Sequence, residues 1–279
     1  MTATELVYNP YAFAIHDDPY ETYRRLRDEA PAYWNPDLSF WVLSRFEDVQ
    51  NAFKDFDTFS STGGVALESR RRRDAGRMEF QQMIEMDPPD HTSFRKLVNR
   101  IFTGRRVAAM EDDIRNIFNG YLDQIVERGE ADLVEEVTSP FPMDVISAFL
   151  DIPEGDRAQL RSYSDTILIR EDGKMELPQV AAEGMFAMLQ YFIDDLPKRR
   201  KNPRKGIIDD LLTLEVDGRS LTEEELLGFC ILFVIAGHET TTKMVANAID
   251  LLSRHPDQKR DLANNLDLAP QACLLYTSD

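Results

Sequence analysis

The sequence is poor in cysteine, in basic charge and in long apolar runs. Cys230 and Cys273 are its two thiols in 279 residues. Their separation matches no metal or redox spacing, so a soluble protein of a reducing, cytoplasmic compartment is expected. Basic residues number 32 against 50 acidic ones, a formal charge of −18. That balance argues against a general nucleic-acid or anionic-membrane binder. The longest apolar stretch, LLGFCILFVIAG at 226–237, falls short of the ~20 residues that span a bilayer. The opening MTATELVYNPYAFAIHDDPY has neither the basic n-region nor the apolar h-region of a secretory leader. No membrane partner is expected.

What is present suffices for a sizeable core: 43% of residues are apolar and 29% charged, an ordinary globular balance. Helical spacing recurs over 17–29, 45–55, 90–102, 105–128, 140–150, 154–169, 178–200 and 205–215. Two β-rich runs around Asn35-Pro36-Asp37 predict a hairpin over 32–44. Residues 57–77, with Gly63-Gly64 and the run Arg70 to Arg73, read as a long loop. Arg170 to Lys174 reads as a surface turn. The class is mainly α with a small N-terminal β-hairpin, and no linker divides it.

The last long helix has clear ends. Thr222 and Glu225 form a capping box, with Leu221 and Leu226 at the staple positions. Glu223, Glu224 and Glu225 suit the positive end of the helix dipole, and Pro256 supplies the stop. Residues 223–253 give ~46 Å of helix at 1.5 Å per residue. The middle, FVIAGHETTTKMV at 233–245, breaks helical preference. Gly237 costs ~1 kcal/mol against alanine in a helix interior. Burying the charge of Glu239 without a partner costs several kcal/mol, to order of magnitude. Threonine hydroxyls bond back to carbonyls four residues earlier, Thr240 to Ala236. An opened turn with an acid and an alcohol side by side is expected, and such local violations belong to functional sites. The plain alternative is a core helix with a tolerated glycine. A zinc helix fails, because H-E-x-x-H requires histidine where Thr242 stands.

A second constellation lies in MIEMDPPDHTSFRKLVNRIFTGRR at 83–106. Asp90 is the expected N-cap. His91 and Arg95, four apart, share a face, and Phe102 falls on it eleven residues on. Arg95, Lys96, Arg100, Arg105 and Arg106 follow His91 without an acid, a local inversion of charge. Two donors on one helix face suit a carboxylate; the alternative is a solvated basic face.

Together the two segments resemble the cytochrome P450 family, the haem-thiolate monooxygenases, in its soluble bacterial form. The resemblance runs from about residue 8 to 260. It implies the cytochrome P450 fold, truncated after the long central helix, with the domain at 1–272. DPPDHTSFRKLVNRIFTGRRV is similar to the family's C helix, implying that His91 and Arg95 bind haem propionates. AGHETTT matches the I-helix signature. The two segments together imply cofactor contact at Phe102, from the first, and at Ala236, Gly237 and Thr241, from the second, with Ala236 and Gly237 at the dioxygen groove. Glu239 and Thr240 become the acid–alcohol pair for proton delivery. The implied cofactor is haem b, with electrons ultimately from NAD(P)H. A small hydrophobic organic substrate and a ferredoxin-type redox partner are also implied, the partner docking around Lys96, Arg100, Arg105 and Arg106.

The resemblance is incomplete. The family's Gly-rich loop carrying the iron-ligating cysteine is missing, and Cys230 sits inside an apolar helix where a small packing role is expected. Glu21-Thr22-Tyr23-Arg24 has the letters of the family's E-x-x-R, in the wrong helix. Metal ligation within this chain is therefore not expected, nor activity of the fragment alone. Residues 273–279, CLLYTSD, resemble the in-frame translation of a transposon-end sequencing adaptor and are expected to be a non-native tail. Two further readings stand beside the enzyme. One is a helical ligand- or partner-binding module without haem and without catalysis. The other is a diverged structural remnant.

Overall fold

The computed structural model describes residues 5–69, 82–216 and 218–277. Helices α1 (Phe13–Asp17) and α2 (Tyr20–Glu29) lead into an antiparallel hairpin, β1 (Ala32–Asn35) with β2 (Phe40–Leu43). Asn35 builds the turn: its side-chain oxygen accepts from the Leu38 amide at 2.8 Å, and its nitrogen donates to the Tyr8 carbonyl at 2.8 Å. Trp34 and Trp41 stand opposite each other in register, with ring centroids 5.2 Å apart. Helix α3 (Phe46–Lys54) completes this N-terminal lobe.

A helical body follows. Its members are α4 (Asp90–Ile101), α5 (Gly104–Ala108), α6 (Glu111–Val126), a π-helical turn (Val134–Thr138) and α7 (Pro140–Leu150). Then come α8 (Glu154–Ile167), α9 (Gln179–Lys201), α10 (Ile207–Thr213), α11 (Glu223–Arg254), α12 (Pro256–Asn264) and α13 (Ala269–Thr277). The fold is mainly α with one two-stranded sheet, as the sequence patterns require.

Several details depart from expectation. The span 105–128 is two helices. Thr103 Oγ1 accepts from the Arg106 amide at 3.3 Å and starts α5, whereas Glu111, Asp112 and Asp113 supply a fresh acidic first turn for α6. Asp90 is the first residue of α4 rather than its N-cap, because Pro89 already has helical dihedrals (φ −85°, ψ −13°). Pro256 ends α11 and opens α12 at once, in the first-turn position where its missing N–H costs nothing. The run Arg70 to Arg73 lies outside the described residues. The backbone continues as α13 across position 272, so no break in helix marks the expected tail.

α11 is the axis of the body. Its capping box forms: Thr222 Oγ1 accepts from the Glu225 amide at 3.2 Å, and Glu225 Oε2 accepts from the Thr222 amide at 2.9 Å. Leu226, Phe229, Cys230, Ile231 and Val234 are buried against α7, α8, α9 and α10. By length and composition alone α11 could cross a membrane; here its apolar side chains fill the centre of a helical bundle.

Two features hold α9, α10 and the end of α7 together. The Arg199 side chain is fully buried and donates to Asp195 Oδ2 at 2.5 Å, Asp209 Oδ2 at 2.6 Å and the Asp151 carbonyl at 3.0 Å. Arg204 adds a contact to Asp195 Oδ1 at 3.0 Å. Gly206 lets the chain pass close to α7: a Cβ there would lie 2.6 Å from the Leu150 carbonyl oxygen.

Candidate functional site

Between α4 and α11 runs an apolar groove of about 420 Å³. Arg95, Val98 and Asn99 line it from α4, Phe102 from just beyond α4, and Phe229, Phe233, Ala236 and Gly237 from α11. The heptad-like spacing of α4 explains its wall: Phe94, Leu97, Val98 and Ile101 point into the core, which leaves Arg95 on the exposed flank. Phe102 packs on Phe233 at 5.5 Å and on Phe149 at 6.5 Å, and Phe229 stacks on Phe233 at 5.4 Å. The floor is therefore a packed aromatic layer.

Four of the eight candidate residues from the sequence meet in this groove: Arg95, Phe102, Ala236 and Gly237. His91 stands one turn before Arg95 on α4, half-buried. Glu239, Thr240 and Thr241 follow on α11 but do not line the groove. Thr240 Oγ1 donates back to the Ala236 carbonyl, as the spacing predicts, and Thr242 does the same to His238 at 2.9 Å.

Three expectations are corrected. α11 is continuous α-helix through Ala236 to Thr242, not an opened turn; the back-bonding hydroxyls add to the backbone ladder rather than replacing it. Glu239 is half-buried, not fully buried, and pairs with Lys243 one turn on, so its charge is compensated at the helix edge. Gly237 has a packing reason of its own. A Cβ there would come within 2.8 Å of Ile146 Cδ1 on α7, so glycine serves helix approach as well as the groove. Arg106 is also less available than its sequence context implies, being tied to Asp210 on α10 at 2.5 Å.

The buried polar residue of this turn is His238, 2% exposed. Its Nδ1 lies 3.2 Å from Ser164 Oγ and its Nε2 3.1 Å from the Ser139 carbonyl. Burial holds its pKa below the ordinary histidine value. The signal was available in principle: His238 continues a run that is apolar on every side. A second cavity, of about 790 Å³, has walls from 63–68, Leu168, Arg170 and Lys243. At its rim the buried carboxylate of Glu68 accepts from Tyr11 at 2.6 Å and faces Arg170 at 3.4 Å.

The groove suits a flat apolar group that carries carboxylates. It offers an aromatic and aliphatic slot, with the exposed guanidinium of Arg95 at the rim. The donor set fits only one face of an iron macrocycle. Cys230 is fully buried inside α11, and burial pushes its thiol pKa up, which disfavours a ligating thiolate. Among the described residues no cluster of His, Cys, Asp or Glu could hold a metal ion. The E-x-x-R letters in α2 form an exposed pair, Glu21 with Arg24 at 2.6 Å, unlike a buried motif.

Fold and groove define a class: a mainly α-helical protein with an apolar groove along its central helix. A family model described as cytochrome P450 matches residues 174–271. Cytochrome P450 123 of Mycobacterium tuberculosis is 40% identical over 255 residues, 91% of this chain and 63% of that protein. Cytochrome P450 109 of Bacillus spizizenii is 32% identical over 254 residues, 89% of this chain and 60% of that one. Cytochrome P450 CYP109Q5 from Chondromyces apiculatus has a similar structure, with a TM-score of 0.79 and 31% identity. That match covers 94% of this chain and 65% of the other. The chain belongs to the cytochrome P450 family, and its architecture is that of the family's fold through the long central helix. It spans 60–65% of the length of the curated relatives it matches.

Proposed function

We propose that this chain is the larger part of a haem-dependent monooxygenase that inserts one oxygen atom of dioxygen into a small hydrophobic organic substrate. The observation that carries the reading is the apolar groove where Arg95, Phe102, Ala236 and Gly237 meet. Haem b, when bound, supplies the iron chemistry of dioxygen activation. The residues of this chain would hold and serve it. Arg95, with His91 one turn away, binds the propionate carboxylates by charge-assisted hydrogen bonds. Phe102 and the aromatic layer behind it exclude water from the slot. Ala236 and Gly237 keep the helix surface low where the small reactant sits. Thr240 and Glu239 handle protons: the alcohol lies next to the groove-lining residues, and the acid sits at the solvent edge beside Lys243. The larger cavity, bounded by 63–68, Leu168, Arg170 and Lys243, is the candidate substrate approach.

Electrons would come ultimately from NAD(P)H through a ferredoxin-type protein docking on Lys96, Arg100 and Arg105. One structural neighbour, P450BioI, is described in complex with an acyl carrier protein ligated to hexadec-9Z-enoic acid. A soluble, cytoplasmic setting fits this reading. Residues 273–279 are proposed to lie outside the domain, and sequencing the source DNA across codon 272 tests this: an unchanged reading ending in a stop at 279 refutes it.

The main test is a haem titration of this chain beside a version extended by the source DNA beyond residue 272. A haem-thiolate carbon-monoxide difference spectrum in the extended form alone is the expected result. An extended form that binds no haem overturns the proposal. The burial of Cys230 favours a second reading for the chain by itself, an apolar-ligand module without haem. Ligand binding by this chain, together with a haem-free extended form, would support that reading.

A further inference from the structure

His238 has no part in the chemistry proposed above, yet two other elements converge on its ring. Nε2 is 3.1 Å from the carbonyl of Ser139, at the entry to α7. Nδ1 is 3.2 Å from Ser164 Oγ on α8 and 3.7 Å from Asp165 Oδ1 on the same helix. A carbonyl oxygen can only accept, so Nε2 carries the hydrogen. In the neutral ring Nδ1 is then an acceptor, and the fully buried Ser164 hydroxyl donates to it. The backbone of the same residue is engaged too, its carbonyl accepting from Thr242 Oγ1.

We propose that His238 is a positioning residue: as the neutral Nε2–H tautomer it locks α8 and the entry of α7 to the turn of α11 that carries Glu239 and Thr240, and a proton on Nδ1 transfers its partnership from Ser164 to Asp165. A protonated Nδ1 can no longer accept, so the Ser164 hydroxyl must turn away while the charged ring is drawn to the carboxylate. The charged groups facing the ring are Asp165 and Arg161 from α8 and Glu239 from α11 itself. The entry of α7 contributes the neutral Ser139 carbonyl. Burial opposes the charge most, Asp165 and Glu239 favour it and Arg161 opposes it, with a net lowering of the pKa. The unfolded chain therefore binds this proton more readily than the folded one. Stability from this group is complete above the ordinary value of 6.5 and declines as pH falls from there towards the lowered folded value.

The importance of placing Glu239 and Thr240 rests on the function proposed above; the tautomer and the helix lock do not. The experiment is a long-range ¹H–¹⁵N spectrum of the full chain with ¹⁵N-labelled histidine, the His238 ring being assigned by its loss in His238→Asn. The expected ring is an Nε2–H tautomer, more than half neutral at pH 6.5. Ser164→Ala should shift its Nδ1 resonance and speed hydrogen exchange at the Glu239 and Thr240 amides by about tenfold, the scale of one lost hydrogen bond. An Nδ1–H tautomer, a ring mostly charged at pH 6.5, or exchange unaltered by Ser164→Ala overturns the proposal. An extended chain that fails to bind haem removes the catalytic reading but leaves this result standing, so the two failures are distinguishable.

Discussion

The N-terminal lobe and the helical body handle apolar side chains in opposite ways. Between residues 83 and 234 nearly every large apolar side chain that faces inward is buried, from Phe94 and Leu97 through Met188, Phe192 and Ile208 to Val234. In residues 5–69 the one buried apolar side chain is Leu26, whereas Tyr20, Trp41, Phe46 and Phe53 lie open, Phe53 at 86% exposure. The lobe is not less regular. Its hairpin is in register and its tryptophans pair across the strands. Local structure thus forms from cross-strand pairing and turn chemistry, but a core needs a second layer to cover the apolar face. In the body, α11 supplies that layer for α7, α8, α9 and α10; among the described residues the lobe offers a two-stranded sheet, the short helices α1, α2 and α3 and other short helical turns.

The strongest test of this contrast is to break the body where its charges are sealed. Arg199→Ala leaves Asp209 buried without a guanidinium and Asp195 with only that of Arg204. A loss of about 3–5 kcal/mol is expected, measured by urea unfolding followed on the helical signal. A loss below about 1 kcal/mol would mean that water reaches the pair and that the body is looser than its packing implies.

A smaller effect separates two glycines of the body. In Gly206→Ala the new methyl meets backbone, the Leu150 carbonyl at 2.6 Å, which cannot turn aside. In Gly237→Ala it meets the flexible end of Ile146. Overpacking should cost Gly206→Ala about 1–3 kcal/mol and Gly237→Ala less. The comparison is checked by the two unfolding midpoints at equal slope; a reversed order refutes the assigned contacts.

The smallest expected change lies in the lobe. Phe53→Ser with Trp41→Ser removes apolar surface that is already in water, so stability should stay within about 0.5 kcal/mol. Binding of an apolar fluorescent dye should fall at the same time. A large destabilisation would show that the lobe's aromatic face is covered in solution after all.

Much of this was legible before the fold was known. The capping box of α11, the hairpin around Asn35-Pro36-Asp37 and the shared face of His91 and Arg95 are statements about residues two to four apart, and local spacing fixes them. The aromatic layer was not legible, because Phe102, Phe149 and Phe233 come from three separate elements. The boundary between α5 and α6 was missed for a different reason: the turn at Ala109-Met110 has no glycine or proline to mark it, and Glu111 to Asp113 continue an otherwise helical pattern.

The clearest division falls on two neighbouring residues. The sequence by itself determined that His238 and Glu239 would sit in the middle of a long, apolar helix, because the capping box, the apolar run and Pro256 are all encoded locally. It did not determine which of the two polar side chains would be buried. Successive residues on a helix point about 100° apart, so a modest rotation of α11 against α7 and α8 would exchange their environments. The tertiary structure decided it: the Ser139 carbonyl and the Ser164 hydroxyl meet the imidazole, and Glu239 is left at the edge with Lys243. Burial of a polar group is possible only where other elements bring it partners, and those partners stand 99 and 74 residues away along the chain.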